Sequence, residues 1–469
     1  MIPNVSSPSD QAIVDKVIEH GQEHVFRFFD KISEEQKQVL LNQLRSIDFT
    51  LLDFLIEKQI RNDSSDNIPE LKPAPMIELA RSEDEIQRDK RAIAIGEKFL
   101  RHGKVAAFLV AGGQGSRLGF EGPKGCYPIS PIKNKTIFQL HAEKLLSLQH
   151  YYNQIFPLYI MTSEANHEQT KAFFKENDFF GLTEVHFFKQ GLMPAVDKDG
   201  KLILEERHKL FMNPNGHGGS IKALHDSGAL SDMKKKGIQT IFYFQVDNIL
   251  INMLDPRFIG YHMMYEAQMS SKVLKKAYPE EKVGVIGLID GKTGVIEYSV
   301  LPEHLKYAKD ENGDLKFNAG SIAIHMMNVD FLEGLNENRS PLPYYKAFKA
   351  IPNVNEYGEK VVPDEPNAYK FEMLVFDALQ KTNSSVTLEV KREDEFAPVK
   401  NKDGKDSPKT ARELMSDYYK DWLRYAAIPV SQDSVVEISP LFAVNREEFR
   451  QKMQNYKLPL QYDQEIYLV

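Results

Sequence analysis

The chain has 469 residues, of which 42% are hydrophobic and 27% are charged, and its net charge is −8 at pH 7. This length exceeds what a single hydrophobic core supports, so two or three domains of a globular protein are expected. The acidic net charge argues against general binding to nucleic acid or to an acidic membrane, although a local basic pocket is compatible with it.

Cysteine content and hydropathy narrow the class further. Cys126 is the single cysteine of the sequence, so we expect neither an internal disulfide nor a thiolate metal cluster. No segment reaches the ~20 apolar residues of a membrane span, and the first residues lack a basic start followed by an apolar core. These features predict a cytoplasmic protein with no membrane partner; they set no oligomeric state.

The first part of the chain has helical periodicity. In residues 9–60, Val14 and Val17 fall on one helix face, and Ser33 with Gln36 has the spacing of a capping box. No residue of this part has an evident chemical role. A charged segment at about 82–102 is predicted to be a further helix.

From residue 105 onward, short apolar runs alternate with amphipathic segments. The runs predict buried strands at 105–111, 158–162, 185–189 and 241–246, and the segments predict helices at 136–150 and 219–236. Such alternation is typical of an α/β fold with a largely parallel sheet between helices. Ligands of these sheets bind at the carboxyl ends of the strands.

A glycine-rich stretch follows the first predicted strand. Residues 104–125 read KVAAFLVAGGQGSRLGFEGPKG, in which Gly113, Gly115 and Gly119 are one residue too widely spaced for the dinucleotide fingerprint. Lys124 follows a proline and lacks the spacing of a Walker loop. A glycine loop lying against a flat or anionic group is one interpretation, and a turn with surface cations is the alternative.

Asp247 comes directly after the predicted strand at 241–246. A carboxylate in this place projects from the end of the sheet. Mg²⁺ that is bound to phosphates is typically held by one or two carboxylates as well, so Asp247 is a candidate metal ligand. A helix cap is the alternative role.

Ten ordered sequence blocks carry a family resemblance. LVAGGQGSRLGFEGPKG resembles the signature of the eukaryotic-type UTP:sugar-1-phosphate uridylyltransferases, and specifically of the UDP-N-acetylglucosamine pyrophosphorylases. The other blocks, with their first residue numbers, are TIFQLHAEK (136), KQGLMPAVD (189), GHGGSIKAL (216), FQVDNIL (244), VGVIG (283), VIEYSVLPE (295), FNAGSIAIH (317), KFEMLVFDAL (370) and FAPVKNKDGKDSP (396). The resemblance covers roughly residues 80 to 420, and this order of blocks is far more specific than one glycine motif.

The resemblance implies a fold, a reaction and its partners. The fold is α/β, with a mixed, largely parallel nucleotide-binding sheet of the glycosyltransferase-A type, flanked by an N-terminal helical lobe and a small C-terminal lobe. We place the boundaries at 1–100, 101–380 and 381–469. The implied reaction joins UTP to a sugar 1-phosphate, forms a UDP-sugar and releases pyrophosphate, with Mg²⁺ or Mn²⁺ as cofactor and without nucleic acid.

The resemblance also assigns candidate site residues. Because two polyanions must meet in this reaction, cations should hold the phosphates, and a glutamine amide suits the uracil imide edge because it both donates and accepts. The implied roles are phosphate binding and catalysis for Arg117, Lys124 and Lys400; nucleotide binding for Gly112, Gly113, Gln190, Gly216 and His217; sugar binding for Asn248, Gly284, Glu297, Tyr298, Asn318 and Phe371; and metal binding for Asp247.

One position departs from the N-acetylglucosamine branch. His217 stands where those enzymes typically carry asparagine, and the resulting G-H-G is the form found in UDP-glucose pyrophosphorylases. The leading interpretation is an enzyme specific for N-acetylglucosamine 1-phosphate. The alternatives are a uridylyltransferase with another or broader sugar preference, including glucose and N-acetylgalactosamine, and a non-catalytic UDP-sugar-binding protein.

Overall fold

The computed structural model describes residues 3, 5, 7–62, 69–337, 342–454 and 465–469. The chain forms two compact units. Unit 1 comprises Met1–Ile68, Gln190–Ser220 and Leu342–Val375, and unit 2 comprises Pro69–Lys189, Ile221–Pro341 and Phe376–Val469. The units interleave along the chain. The linear division at residues 100 and 380 stays a prediction.

The helices and strands have the following bounds. The α-helices are α1 (Pro8–Glu19), α2 (Glu34–Ser46), α3 (Phe49–Leu55), α4 (Glu83–Arg101), α5 (Ile137–Tyr152), α6 (His167–Glu176), α7 (Gly219–Asp226), α8 (Ala229–Lys235), α9 (Pro256–Met264), α10 (Glu303–Lys306), α11 (Val329–Glu337), α12 (Arg392–Glu395), α13 (Pro408–Tyr425) and α14 (Arg446–Met453). The strands are β1 (Leu71–Pro73), β2 (Val105–Val110), β3 (Leu158–Thr162), β4 (Val185–Lys189), β5 (Leu192–Pro194), β6 (Val196–Asp197), β7 (Leu204–Glu206), β8 (Lys209–Leu210), β9 (Met212–Pro214), β10 (Thr240–Gln245), β11 (Met269–Lys275), β12 (Val285–Ile289), β13 (Lys292–Ile296), β14 (Ala319–Asn328), β15 (Tyr344–Lys349), β16 (Asn353–Val354), β17 (Lys360–Val361), β18 (Ala368–Met373), β19 (Ser385–Glu389), β20 (Val435–Ile438) and β21 (Glu465–Leu468).

Unit 2 is built on one mixed sheet of ten strands within the described residues. Its main path runs β1-β12-β14-β10-β2-β3-β4, with β11 and β19 joined beside β14 and β13 beside β12. The β10, β2, β3 and β4 strands are parallel, whereas β14 runs antiparallel to β10. The α/β class with a mixed, largely parallel sheet is therefore confirmed.

The order of the strands marks a ligand-binding edge. The chain leaves β2 for β3 on one side, and the strand on the other side of β2 is β10. Such a reversal of strand order is the topological switch point at which open α/β sheets bind ligands. Gln245 pairs with Val110, so β2 and β10 end at the same level. The glycine stretch and Asp247 therefore leave the sheet side by side.

The local sequence explains these elements. β2 reads VAAFLV and is buried nearly throughout, as a central parallel strand requires. Capping boxes at Ser33 and Ser82 satisfy the first free amides of α2 and α4. The predicted helix at 219–236 is interrupted, because Gly228 has a φ of +78° and separates α7 from α8.

The C-terminal residues share the core of unit 2. Val386 of β19, Trp422 of α13 and Val436 of β20 belong to the same buried cluster as Ile160 of β3. Residues from 381 onward therefore complete the packing of the central sheet within this unit.

Unit 1 combines the N-terminal helices with two later segments. Val14, Leu40, Leu52, Val196 and Phe371 are buried in one cluster. Glutamine side chains of the N-terminal segment form hydrogen bonds with backbone groups of the second segment. Gln22 bonds to Gly200 and Leu202, and Gln43 bonds to Leu210. In unit 1 the strands β15, β18 and β6 form a small antiparallel sheet.

None of the described helices has the length and apolar character needed to cross a membrane.

Candidate active site

The glycine stretch forms a closed loop at the end of β2. Gly115 N–H donates to Gly122 C=O (2.9 Å), and Lys124 N–H donates to Gly113 C=O (3.1 Å). A methyl group on Gly115 would lie 2.7 Å from the Phe120 ring, whereas one on Gly113 would meet nothing within 4 Å. Gly115 is therefore needed for packing inside the loop, and Gly113 leaves one face of the backbone open.

The side chain of Asn166 holds this loop through hydrogen bonds. Its carboxamide Nδ2 donates to Ala111 C=O (2.9 Å) and Gly113 C=O (3.2 Å), and its Oδ1 accepts from Ser163 N–H (2.9 Å). The side chain is fully buried. These bonds hold two carbonyls at the start of the loop in place. Sequence reasoning missed Asn166; its place in the polar segment directly after a buried strand was the available signal.

Two of the predicted charged residues lie close together. Lys124 Nζ is 4.0 Å from Asp247 Oδ2, and the two side chains are 15% and 14% exposed. Both follow the switch-point strands, Lys124 through the glycine loop and Asp247 through β10. A cation and a carboxylate at this distance form an ion pair at the ligand-binding edge of the sheet. Metal binding by Asp247 and phosphate binding by Lys124 stay predictions.

Two further cations accompany the loop. Arg117 is exposed on the short 3-10 turn Ser116–Leu118. The side-chain carbons of Lys402 lie within 3.7 Å of the methyl position of Gly119. Lys402 was not predicted, although it belongs to the polar stretch FAPVKNKDGKDSP. The glycine loop thus has cations at several points of its surface.

The segment with Lys400 is anchored beside Asp247. Val399 N–H donates to Asp247 C=O (2.9 Å), and Lys400 N–H donates to Asp406 C=O (2.7 Å). The Lys400 side chain is exposed, and its Nζ lies 5.9 Å from the centroid of the Phe396 ring. The structure therefore brings Lys124, Asp247 and the backbone of Lys400 to one edge of the sheet.

Asn248 has a structural contact at this point. Its side chain is 4% exposed, donates to Glu395 C=O (2.7 Å) and accepts from Ala397 N–H (2.9 Å). These two bonds fasten the segment before Lys400. Sugar binding by Asn248 stays a prediction.

The remaining sugar candidates of unit 2 surround the β12–β13 hairpin. Gly284 C=O accepts from Ser321 N–H (2.8 Å), and a methyl group on Gly284 would lie 3.4 Å from Glu297 Oε1. Glu297 directly follows β13, and burial raises the pKa of its carboxyl group. Asn318 lies just before β14 and Tyr298 is 41% exposed. Gly284 and Glu297 are thus neighbours, as a shared sugar site requires.

In unit 1, Gln190 and Gly216 are in direct contact. Gln190 Nε2 donates to Gly216 C=O at 2.6 Å. Gly216 has a φ of +80°, and a methyl group there would lie 2.3 Å from Met373 C=O. This backbone therefore requires glycine. The contact brings together two residues that sequence resemblance assigned to the nucleotide.

His217 is explained by its backbone contact. Its Nδ1 accepts from Val375 N–H (3.1 Å), and burial lowers the pKa of the ring to about 4. The ring is therefore neutral near pH 7 and holds the G-H-G-G turn against the end of β18.

Phe371 lies in a hydrophobic core, and sugar binding by it stays a prediction. Its side chain is fully buried in the unit 1 core, on β18, where side chains alternate between the two faces. The exposed residue of that strand is its neighbour Glu372. The ring is a core group, as an aromatic between charged neighbours on a half-buried strand commonly is.

Comparison with known proteins identifies the family. A family model described as UTP–glucose-1-phosphate uridylyltransferase matches residues 48–462, most of the chain. The chain belongs to this uridylyltransferase family.

Relatives in the uridylyltransferase family carry a more specific name. UDP-N-acetylglucosamine pyrophosphorylase of Saccharomyces cerevisiae is 34% identical over 92% of this chain and 95% of the relative. UDP-N-acetylglucosamine diphosphorylase 2 of Arabidopsis thaliana is 35% identical over 94% of this chain and 91% of the relative. The solved structure of the Trypanosoma brucei UDP-N-acetylglucosamine pyrophosphorylase, in complex with an inhibitor, superimposes with a TM-score of 0.85 at 28% identity and covers 100% of this chain and 99% of that chain. The resemblance seen in the sequence blocks is thereby confirmed.

Cys126 lies in the signature stretch of this uridylyltransferase. Burial raises the pKa of its thiol to about 12, so the sulfur stays protonated and unreactive near pH 7. A packing role is consistent with its contact to the unit 2 core.

Proposed function

We propose that the protein joins UTP to N-acetylglucosamine 1-phosphate, forming UDP-N-acetylglucosamine and releasing pyrophosphate. The observation that carries this proposal is the approach of Lys124 Nζ and Asp247 Oδ2 to 4.0 Å beside the open backbone of Gly113. The similarity to UDP-N-acetylglucosamine pyrophosphorylases from yeast and Arabidopsis over more than nine tenths of the chain supports it.

The reaction needs little covalent chemistry from the protein. A phosphate oxygen of the sugar 1-phosphate attacks the α-phosphorus of UTP, and the bond to the β-phosphate oxygen breaks. Since a phosphate oxygen is already ionised, the site has to align two polyanions and stabilise charge on the leaving group. In this proposal Lys124 and Arg117 hold the triphosphate, and Lys400 holds the sugar phosphate.

Asp247 is the proposed ligand of a magnesium ion. Among the described residues, no group of three or more His, Cys, Asp or Glu side chains is placed to hold a metal. One carboxylate near a phosphate-binding loop fits a cation that is bound chiefly through substrate phosphates and water. When bound, Mg²⁺ supplies charge neutralisation at the phosphates; Mn²⁺ could replace it.

A second candidate substrate is glucose 1-phosphate. His217 gives the G-H-G form of UDP-glucose pyrophosphorylases, and the matching family model is described by that substrate. Because His217 Nδ1 accepts from the Val375 backbone, its presence also has a structural reason that is independent of the sugar. We therefore favour the N-acetyl sugar.

The test is pyrophosphate release from UTP and Mg²⁺ with four acceptors offered separately: N-acetylglucosamine, N-acetylgalactosamine, glucose and galactose 1-phosphates. We expect the highest kcat/KM with N-acetylglucosamine 1-phosphate. A preference for glucose 1-phosphate would establish the second candidate and make His217→Asn the next variant. No release with any acceptor, despite UDP-sugar binding by calorimetry, would instead indicate a binding protein.

A further inference from the structure

The segment after β10, which carries Asp247, is held by helix α5. His141 Nε2 lies 3.1 Å from Val246 C=O, the carbonyl directly before Asp247. A carbonyl can only accept, so the ring donates through Nε2–H and its Nδ1 carries the lone pair. His141 is 1% exposed, and burial lowers the pKa of the ring to about 3, with a smaller effect from the Lys144 ammonium. The ring is a neutral donor aimed at this carbonyl.

Lys144 acts one turn further along the same helix. Its Nζ donates to Ile249 C=O (2.7 Å) and Ile251 C=O (3.0 Å). Residues three apart on a helix share a face, so α5 presents both donors to this segment. Burial lowers the pKa of Lys144 to about 8, and a buried ammonium is unfavourable unless its donors are satisfied. The placement of a lysine here is explained by the two carbonyls that it fixes.

The opposite side of the segment is fastened by residues 395–399. Asn248 pairs with Glu395 and Ala397, and Asp247 C=O accepts from Val399 N–H. Together with the bonds from α5, these contacts give the backbone around Asp247 hydrogen-bond partners at successive positions. The Asp247 carboxylate is left at the edge of the site.

We infer that His141 and Lys144 are positioning residues, which set the place of the Asp247 carboxylate by fixing the carbonyls of Val246, Ile249 and Ile251. This inference rests on the proposed function. It also gives a role to the TIFQLHAEK block, in which both residues lie and which the site residues do not explain. Partners that orient a metal-binding carboxylate typically change metal affinity or activity by about 10- to 100-fold when removed.

The test compares His141→Phe with a control in the same unit. His262 is equally buried at 1% exposed, and its two ring nitrogens pair with Ser270 and Asn328, away from the Asp247 segment. His262→Phe therefore removes a buried, hydrogen-bonded ring of the same kind without touching that segment. Lys144→Met is a second variant, and His141→Gln restores a donor near the position of Nε2.

Four quantities are measured on the full chain: kcat, KM for UTP, Mn²⁺ binding in the presence of UTP by electron paramagnetic resonance, and the melting temperature. We expect His141→Phe and Lys144→Met to weaken Mn²⁺ binding and lower kcat, each about tenfold or more. His141→Gln should recover most of both. His262→Phe should lower the melting temperature by a similar amount and leave Mn²⁺ binding and kcat near wild type.

Equal Mn²⁺ binding in His141→Phe and His262→Phe would overturn the inference, because the ring would then contribute only to packing. That result is distinct from failure of the proposed function, in which wild-type protein itself releases no pyrophosphate with any acceptor. If His141→Phe does not fold, Lys144→Met is compared with wild type instead. Unchanged Mn²⁺ binding in folded Lys144→Met would also overturn the inference.

Discussion

Lys124 forms an ion pair with Asp247 and is little exposed. We therefore expect its replacement to lower turnover. Lys124→Ala removes a cation that is proposed to hold the triphosphate, and loss of one such group typically costs about 10²- to 10³-fold in kcat. We expect that loss in pyrophosphate release, with an unchanged melting temperature. Lys171→Ala, on the exposed face of α6, is the control and should retain wild-type turnover. Near wild-type rates for Lys124→Ala would refute the assigned role.

Two glycines of the same loop should respond differently to one methyl group. Gly115→Ala would place the methyl 2.7 Å from Phe120, whereas Gly113→Ala meets no protein atom within 4 Å. Overpacking of this kind usually costs about 1–3 kcal/mol, so Gly115→Ala should lower the free energy of unfolding in urea. Gly113→Ala should leave stability unchanged and weaken UTP binding in calorimetry. Equal UTP affinity in wild type and Gly113→Ala would show that no ligand lies against this backbone.

The sequence predicted part of this site and missed another part for a physical reason. Asp247 and the glycine loop could be predicted because each follows a buried apolar strand, and that pattern is local. Asn166, His141 and Lys144 act through carbonyls that are distant in sequence. Asn166 has the local signal of a polar residue shortly after a buried strand, whereas His141 and Lys144 carry none, since a polar residue on a helix that packs against a sheet is commonly solvated.

At the scale of elements, α4 and α9 pack through small residues. A methyl group on Gly96 of α4 would lie 1.9 Å from the carbonyl oxygen of Pro256 at the start of α9. Helix propensity favours alanine over glycine by about 1 kcal/mol, but the close approach leaves no room for it. We expect Gly96→Ala to destabilise unit 2 by about 1–3 kcal/mol in urea unfolding. Exposed Ala94→Gly, on the same helix, should cost only about 1 kcal/mol from propensity. A stabilised Gly96→Ala would contradict the packing account.

A buried ion cluster joins β11 to two other elements. Lys272 Nζ is 2.9 Å from Asp255 Oδ2 and 2.5 Å from Glu395 Oε1, and the three side chains are at most 9% exposed. Lys272→Met leaves two buried carboxylates without their cation, which typically costs about 3–5 kcal/mol. Lys275→Met, on the same strand, breaks only more exposed pairs with Glu78 and Asp314 and should cost at most about 1 kcal/mol. If both variants lose a similar free energy of unfolding in urea, the expected difference between the two lysines is wrong.

At the scale of the whole molecule, buried neutral histidines contribute to the acid response. Burial lowers the pKa of His141 to about 3 and those of His217 and His262 to about 4, from 6.5 in the unfolded chain. At these three positions the unfolded chain then binds more protons than the native one, so their contribution to stability is fully present above pH 6.5 and is lost as pH falls towards 4. Each ring lowers the free energy of unfolding by up to about 1.4 kcal/mol for each pH unit of acidification in this range. Urea unfolding at pH 7.5 and 5.5 measures this loss, which His262→Gln should reduce; equal losses in the variant and wild type would contradict it.

The interleaving of the two units was beyond prediction from pattern. The strands and helices of unit 2 follow local periodicity. In unit 1, the capping box predicted at Ser33 and Gln36 is confirmed. The grouping of residues 190–220 and 342–375 with the N-terminal helices depends on long-range burial, such as that of Phe371.

The burial of Phe371 against the N-terminal helices also has a consequence during synthesis. Val14, Leu40 and Leu52 belong to the same core as Phe371, which the ribosome adds roughly 300 residues later. At about 5–20 residues per second, the apolar faces of α1 to α3 wait about 15–60 s for their last partner strand. The nascent chain therefore exposes part of the unit 1 core until most of it has been translated.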